Sequence, residues 1–389
     1  MAAIHDVSGT QKTHRSHRTH RNNGDLMSTR IVSVRGVLPE HRHRQEDITE
    51  LITTTMMVDE PTRHGVVERM HRNVCVETRH TVLPLEEYAR LQDFGQSNDV
   101  FIRAGVELGA RAVVDALKGV GLTPADVDYI VSCTVTGLAV PSLEARVAAE
   151  IGLRPDVVRL PLVGLGCVAG AAGVARLHDL LRGRPDGVAV LMSVELCSLT
   201  LQRTDTSAAN IVAGGLFGDG AAAVVAVGAE HPLAQSDDPV RPEVLASRSR
   251  LYPDSERMMG WDVGAGGLKI VLDPSVPDLV RHHVGEDVRG FLADHGLTRD
   301  DLGWYVAHPG GPKVLEALQD ALGVERDALR MTWDSLRRIG NLSSSSVLHV
   351  LADTLAERPP PPGSHGLMLA MGPGFCSEFV LLRAPGGAP

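Results

Sequence analysis

Aromatic side chains are scarce: six Phe, three Trp and four Tyr make up 3% of 389 residues. A surface that stacks nucleic-acid bases needs more of them. Basic charge is also in deficit, with 38 Lys and Arg against 48 Asp and Glu. The net charge of −10 argues against a generic phosphate-backbone binder, although it leaves room for a local basic patch. The five cysteines (Cys75, Cys133, Cys167, Cys197 and Cys376) show no CxxC spacing. An odd, dispersed set excludes a disulfide framework and reads as reduced thiols of a cytoplasmic protein. No segment reaches the ~18–20 apolar residues of a membrane span. The nearest, residues 160–175, is short and full of Gly and Ala.

What remains is globular in composition, 43% hydrophobic and 22% charged. Residues 1–26 stand apart: His5, His14, Arg15, His17, Arg18, His20 and Arg21 sit among Ser, Thr and Asn with no apolar period. They are expected to be a disordered leader with no metal site, ahead of a start at Met27.

An internal repeat organises the rest. Residues 121–132 read GLTPADVDYIVS and residues 296–307 read GLTRDDLGWYVA, 175 positions apart. The first follows a helical pattern over residues 98–120, the second a stretch ending in VRGFLADHGLT. The register persists downstream: Gly166-Cys167 opens VAGAAGVARLHDLL, and Gly340-Asn341 opens LSSSSVLHVLADTL. VAVLMSVEL is then matched by GLMLAMGPG. One helix–strand–loop–helix–strand unit occurs twice, which predicts mostly parallel α/β sheets and two halves, residues 27–228 and 229–389, stacked as one core. The duplication puts Cys167 and Asn341 at equivalent places, each in the first turn of a central helix. It puts His308 opposite Cys133, at the carboxyl end of a strand, the edge that open α/β sheets use for ligands.

Each of these residues has a chemical and a plain reading. Gly164 and Gly166 permit a sharp strand-to-helix turn that presents Cys167 at a helix N-terminus, which favours thiolate; the plain reading is a buried inert thiol. His308 follows an apolar strand and precedes Pro309-Gly310-Gly311, with Pro312 starting a helix. A neutral imidazole there could take the thiol proton, pair with the thiolate, or donate to a carbonyl oxygen. Asn341 is by default an N-cap, yet its amide could also donate to a developing oxyanion. Gly372-Pro373-Gly374 is a tight turn, either pressed against another segment or an ordinary hairpin.

GCVAGAAG around Cys167, LFGDGAAAVV from Leu216, AHPGGP around His308, GNLSSSSVL around Asn341 and GPGF from Gly372 fall in one order. Together they resemble the chalcone synthase-like type III polyketide synthases, over roughly residues 31–382. The resemblance implies a thiolase-like fold, duplicated α/β halves in an αβαβα layered core, and a homodimer. It implies that Cys167 carries an acyl starter from CoA or an acyl carrier protein. Malonyl-CoA or methylmalonyl-CoA is then decarboxylated with His308 and Asn341 holding the thioester carbonyl. No cofactor is implied beyond the CoA thioester substrates.

By position in the family pattern, Phe217 and Ile270 are the two gatekeepers, the second usually Phe. Val135, Thr136, Cys197 and Thr200 line the cavity, with Ser343 beside the catalytic group. Val140 reaches into the partner subunit, and Arg69 and Arg72 lie near the basic patch for CoA phosphates. The ending GPGFCSEFVLLR is closer to bacterial alkylresorcinol- or alkylpyrone-forming members, so an aliphatic acyl starter is expected. Two rivals stand beside this reading. A ketoacyl synthase III would condense once, but it typically shows His-Gln-Ala-Asn where this chain has His308-Pro309-Gly310-Gly311. A non-catalytic homologue would have little reason to keep all three reactive residues.

Overall fold

The computed structural model describes residues 28–57, 61–235 and 241–386; the expected leader, 1–26, lies outside the described residues. The strands are β1 (Thr29–Val37), β2 (His41–Arg44), β3 (Thr78–Thr81), β4 (Tyr129–Cys133), β5 (Val158–Leu162), β6 (Val188–Leu196), β7 (Asp219–Val227), β8 (Glu243–Leu251), β9 (Met259–Gly264), β10 (Gly267–Leu272), β11 (Leu302–Ala307), β12 (His365–Gly372) and β13 (Cys376–Arg383). Nine form one sheet in the order β11-β12-β13-β8-β1-β7-β6-β4-β5, while β2–β3 and β9–β10 are separate two-stranded ribbons.

The repeat is visible in that order. Reading outward from the centre, β1-β7-β6-β4 mirrors β8-β13-β12-β11. The two copies meet at a narrow seam, with Thr29 opposite Val244 and Arg30 opposite Glu243. An Arg30–Glu243 ion pair at 2.8 Å braces it. The copies agree in atomic detail. Gly121 and Gly296 both take φ +72°. Thr123 and Thr298 each donate their backbone N–H at 2.7 Å to the carboxylate three residues on, Asp126 or Asp301.

The sheet departs from the expected parallel arrangement. β4–β5, β4–β6 and β11–β12 are parallel. The pairs β1–β7, β1–β8, β6–β7, β8–β13 and β12–β13 are antiparallel. Helical crossovers carry the chain back to run in the same direction, Leu143–Ile151 between β4 and β5 among them. The short turn after β12 can only reverse it.

Two helices, Ala169–Arg182 and Ser346–Glu357, are buried between the inner faces of the two copies. The helix Phe94–Lys118 covers the outer face of the first copy. The helices Gly285–Ala293, Pro312–Leu322 and Arg330–Ile339 cover that of the second, completing the αβαβα layers. Phe94–Lys118 starts ahead of the apolar pattern because Asp93 caps it, accepting the Gln96 N–H at 2.9 Å. Small residues let the central helices approach. A Cβ on Gly170 would collide with the Ser344 carbonyl oxygen and lie 2.6 Å from Val347 Cγ1.

Candidate active site

Cys167 sits in a short 3₁₀ turn, Gly166–Val168, that leads into the helix Ala169–Arg182. Asn341 likewise precedes a 3₁₀ turn, Ser343–Ser345, that leads into Ser346–Glu357. The two are therefore equivalent, but each lies in a lead-in and not in the first α-turn. Positive φ at Gly166 (+53°) and Gly340 (+73°) lets the chain turn sharply into each lead-in. The Gly372-Pro373-Gly374 turn does press on another segment. A Cβ on Gly166 would lie 2.6 Å from Pro373 Cγ, and one on Gly372 would lie 2.6 Å from the Leu165 carbonyl.

The two lead-ins touch. Cys167 Sγ donates to Ser343 Oγ at 3.6 Å. Asn341 Oδ1 accepts the Ser343 N–H at 2.8 Å, with the Ser346 hydroxyl at 3.5 Å. Asn341 is not the N-cap of its plain reading, a position held by Leu342, but its oxygen still serves the start of the lead-in. This orients the amide so that Nδ2 is left as a donor for something else. Its backbone bridges to Phe217: the Asn341 N–H donates to Leu216 O at 2.9 Å, and the Gly218 N–H donates to Asn341 O at 3.0 Å.

His308 leaves the carboxyl end of β11, its N–H donating to Leu369 O of β12 at 2.9 Å. It therefore lies one strand from Gly372, which packs on the cysteine turn. The ring is 3% exposed, and neither nitrogen has a hydrogen-bond partner among the described residues. Each unmade bond to a buried polar atom costs ~1–3 kcal/mol, which a fold bears where a ligand will complete the bond.

The expectation of a thiol activated beside an imidazole meets a burial that opposes charge on both groups. Burial pushes the Cys167 thiol up to about 12; the Ser343 hydrogen bond opposes this and the nearby Glu195 carboxylate adds to it. Burial alone pushes His308 down to about 3. Burial therefore works against charge on either group, while the helix N-terminus works for charge on the thiol.

A cavity of about 360 Å³ is lined by Cys197, Thr200, Phe217 and Ile270, as expected. Cys197 and Phe217 tie it to the reactive group. Cys197 lies close enough to Cys167 for Cys167 to disfavour its ionisation, and Phe217 pairs with Asn341. Thr136 and Val135 lie outside the lining. The Thr136 hydroxyl is consumed, donating to Glu195 at 2.8 Å and accepting the Leu196 N–H at 2.9 Å, while the Val135 N–H donates to Glu195 at 3.1 Å. Val140 is 95% exposed. Arg69 and Arg72 are exposed on the helix His64–Asn73, away from the lining.

Two features escaped the sequence reading. Glu195 is fully buried inside an apolar strand. It accepts Ser344 Oγ at 2.5 Å as well as Thr136 and Val135, so it pins the turn that holds Ser343. Trp261 lines the cavity directly across the β9–β10 ribbon from Ile270. The charge in VEL and the lone Trp were the available signals. Among the described residues no cluster of His, Cys, Asp or Glu could hold a metal, and no helix is long and apolar enough to cross a membrane.

Residues 13–231 match the family description "Chalcone and stilbene synthases, N-terminal domain", and residues 243–385 match its C-terminal counterpart. The chain belongs to the chalcone and stilbene synthase family. It is 52% identical over 355 residues to a 1,3,6,8-tetrahydroxynaphthalene synthase of Streptomyces peucetius subsp. caesius, covering 91% of this chain and 93% of the relative. It is 33% identical to a putative chalcone synthase of Bacillus subtilis, covering 82% and 88%. The crystal structure of 1,3,6,8-tetrahydroxynaphthalene synthase from Streptomyces coelicolor A3(2), a bacterial type III polyketide synthase, superposes with a TM-score of 0.82. That structure is 29% identical, with 92% of this chain and 99% of that one covered. This chain is a type III polyketide synthase of thiolase-like fold, an acyltransferase that condenses CoA thioesters.

Proposed function

We propose that this synthase builds a polyhydroxylated aromatic product from malonyl-CoA alone, with malonyl as starter and extender. The observation that carries the reading is the 52% identity to a 1,3,6,8-tetrahydroxynaphthalene synthase across 91% of the chain. Other relatives are a 3,5-dihydroxyphenylacetyl-CoA synthase and a phloroglucinol synthase, names that carry no alkyl chain. A 360 Å³ cavity is at the low end of the ~300–1,000 Å³ of small-molecule sites, which favours a compact oxygen-rich chain over the aliphatic acyl starter expected from sequence, and malonyl over methylmalonyl of the two extenders left open there.

In this reading Cys167 loses its proton to neutral His308 and attacks the starter thioester, expelling CoA as thiol. A second malonyl thioester then loses CO₂, and the electron pair of the broken C–C bond becomes an enolate. Asn341 Nδ2–H and an N–H of His308 donate to its oxygen, a contribution of ~2.7–4 kcal/mol for a well-placed donor. The enolate carbon attacks the Cys167 thioester carbonyl, the sulfur leaves, and the chain is longer by two carbons. His308 as a neutral donor fits the burial that holds it unprotonated.

The homodimer belongs to the same proposal. Leu138 (50% exposed) and Val140 (95%) lie in the loop after β4, and Val163 (68%) follows the neighbouring edge strand β5, giving that end of the sheet an apolar surface suited to a second copy. Arg69 and Arg72 are proposed to meet CoA phosphates, and the enzyme to work in the cytoplasm on CoA rather than carrier-protein thioesters. Incubation with malonyl-CoA only, followed by mass spectrometry, tests the central claim. A cyclic aromatic made wholly of malonyl carbons is expected. A strict requirement for an added acyl-CoA, or a single ketoacyl product, would overturn it.

A further inference from the structure

We infer that Tyr88 and Ser198, backed by Asp219, form a clamp that holds one enol hydroxyl of the growing chain in the cavity and steers how the ring closes. The inference rests on the reading above that a multi-carbonyl chain grows there. Tyr88 and Ser198 both line the cavity. None of the three residues is among the proposed condensing groups, so condensation chemistry does not account for them.

The hydrogen-bond directions follow from the buried end outward. Asp219 is fully buried. Its carboxylate accepts the Ser198 N–H at 2.8 Å, the Ser198 hydroxyl at 2.5 Å and the Val82 N–H at 2.9 Å. The Arg79 guanidinium lies nearby and favours the ionised form against a burial that pushes Asp219 up to about 6, so at pH 7.5 it can only accept. The single Ser198 proton is therefore committed inward. The 2.5 Å contact between Tyr88 Oη and Ser198 Oγ must then carry the Tyr88 proton. The Leu83 N–H approaches Tyr88 Oη at 3.4 Å, a long bond, and the neighbouring Thr81 hydroxyl gives its proton to Leu83 O at 2.7 Å, so the phenol oxygen keeps acceptor capacity for a ligand.

On this proposal the phenol oxygen of Tyr88, a residue of the lining, offers the cavity an acceptor and no donor. A ketone has nothing to give it. The enol form of a 1,3-dicarbonyl has an O–H and fits. This choice matters because a poly-β-keto thioester closes in two competing ways. An enol oxygen attacking the thioester carbonyl gives a lactone; a carbon attacking a carbonyl gives a carbocycle. An enol hydroxyl anchored on Tyr88 is not free to swing to the thioester carbonyl, so oxygen attack is suppressed and carbon attack remains.

The test measures the ratio of carbocyclic aromatic to lactone made from malonyl-CoA at pH 7.5, by liquid chromatography with mass detection. Tyr88→Phe and Ser198→Ala should each lower that ratio by about tenfold, the worth of one hydrogen bond in a shielded site. Ser198→Thr, which keeps a hydroxyl, should stay within about threefold of the parent enzyme. An unchanged ratio in both Tyr88→Phe and Ser198→Ala overturns the clamp, as does a Ser198→Thr ratio as low as that of Ser198→Ala. Should circular dichroism show Tyr88→Phe unfolded, the Ser198 pair decides alone. A parent enzyme that makes no aromatic from malonyl-CoA refutes the substrate reading, and the clamp falls with it; an aromatic product with unaltered variant ratios refutes the clamp alone.

Discussion

Gly170→Ala should lose activity even though the protein stays folded. The added methyl would collide with the Ser344 carbonyl oxygen and sit 2.6 Å from Val347 Cγ1, where ordinary contact begins near 3.4 Å. Ser344 cannot yield freely, because its hydroxyl bonds Glu195 at 2.5 Å and Ser193 at 2.8 Å. The cysteine helix must therefore move from the Ser343–Ser345 turn by a sizeable fraction of an ångström. Overpacking of this kind costs ~1–3 kcal/mol, tolerable in a core this large. The displaced contact, however, is the one that sets Cys167 against Ser343 and Asn341, and a misplacement near 1 Å costs ~10²-fold in rate. Urea unfolding gives the first quantity, and CoA release from malonyl-CoA the second. Gly65→Ala serves as control: nothing lies within 4 Å of its Cβ, it is helical, and its activity should be unaltered with a gain of ~0.5–1 kcal/mol. A Gly170→Ala enzyme as active as the Gly65→Ala control would refute the claim that this close approach positions the nucleophile.

Asn341→Ala should slow decarboxylation of malonyl-CoA by ~10²–10³-fold, while Cys167→Ala should retain CO₂ release and lose all condensed product, both read from labelled malonyl-CoA. Stability should fall on acidification from pH 7 to 5, measured as the urea midpoint. His71, His178 and His349 are buried with pKa values pushed down to about 4, chiefly by desolvation, and His308 down to about 3. Folded values below the unfolded ~6.5 mean that the stability is present above pH 6.5 and is lost as pH falls, by up to ~2 kcal/mol per imidazole at pH 5. Asp219, pushed up to about 6 by burial, works in the opposite sense, as do Glu195, Asp353 and Glu378, also raised chiefly by burial; with His43, His80 and His365 likewise lowered by burial, the imidazoles outnumber them. A midpoint that holds or rises toward pH 5 would contradict these assignments.

Much of this was legible in the chain because the duplication is written in capping chemistry. GLTPAD and GLTRDD each encode a left-handed Gly and a Thr–Asp box, and their spacing fixes which strand ends correspond. Pro312 begins its helix as expected, and the glycines around Cys167 do mark a close approach. Strand direction was not legible. Apolar periodicity is the same in parallel and antiparallel strands, and pairs such as β1 with β7 join residues nearly two hundred positions apart. The surroundings of the thiol were only half legible for a related reason. A helix N-terminus can be read from local sequence, whereas the burial that opposes it is a property of both halves together. Glu195 and the Tyr88–Ser198 contact depend on distant segments in the same way.

The β9–β10 ribbon belongs to neither layer of the sheet, yet it supplies Trp261 and Ile270 to the cavity. Side chains on it can be exchanged without disturbing a single ladder bond of the nine-stranded sheet. A lineage can therefore diversify what it manufactures by drift in one detachable flap while the condensing apparatus stays untouched.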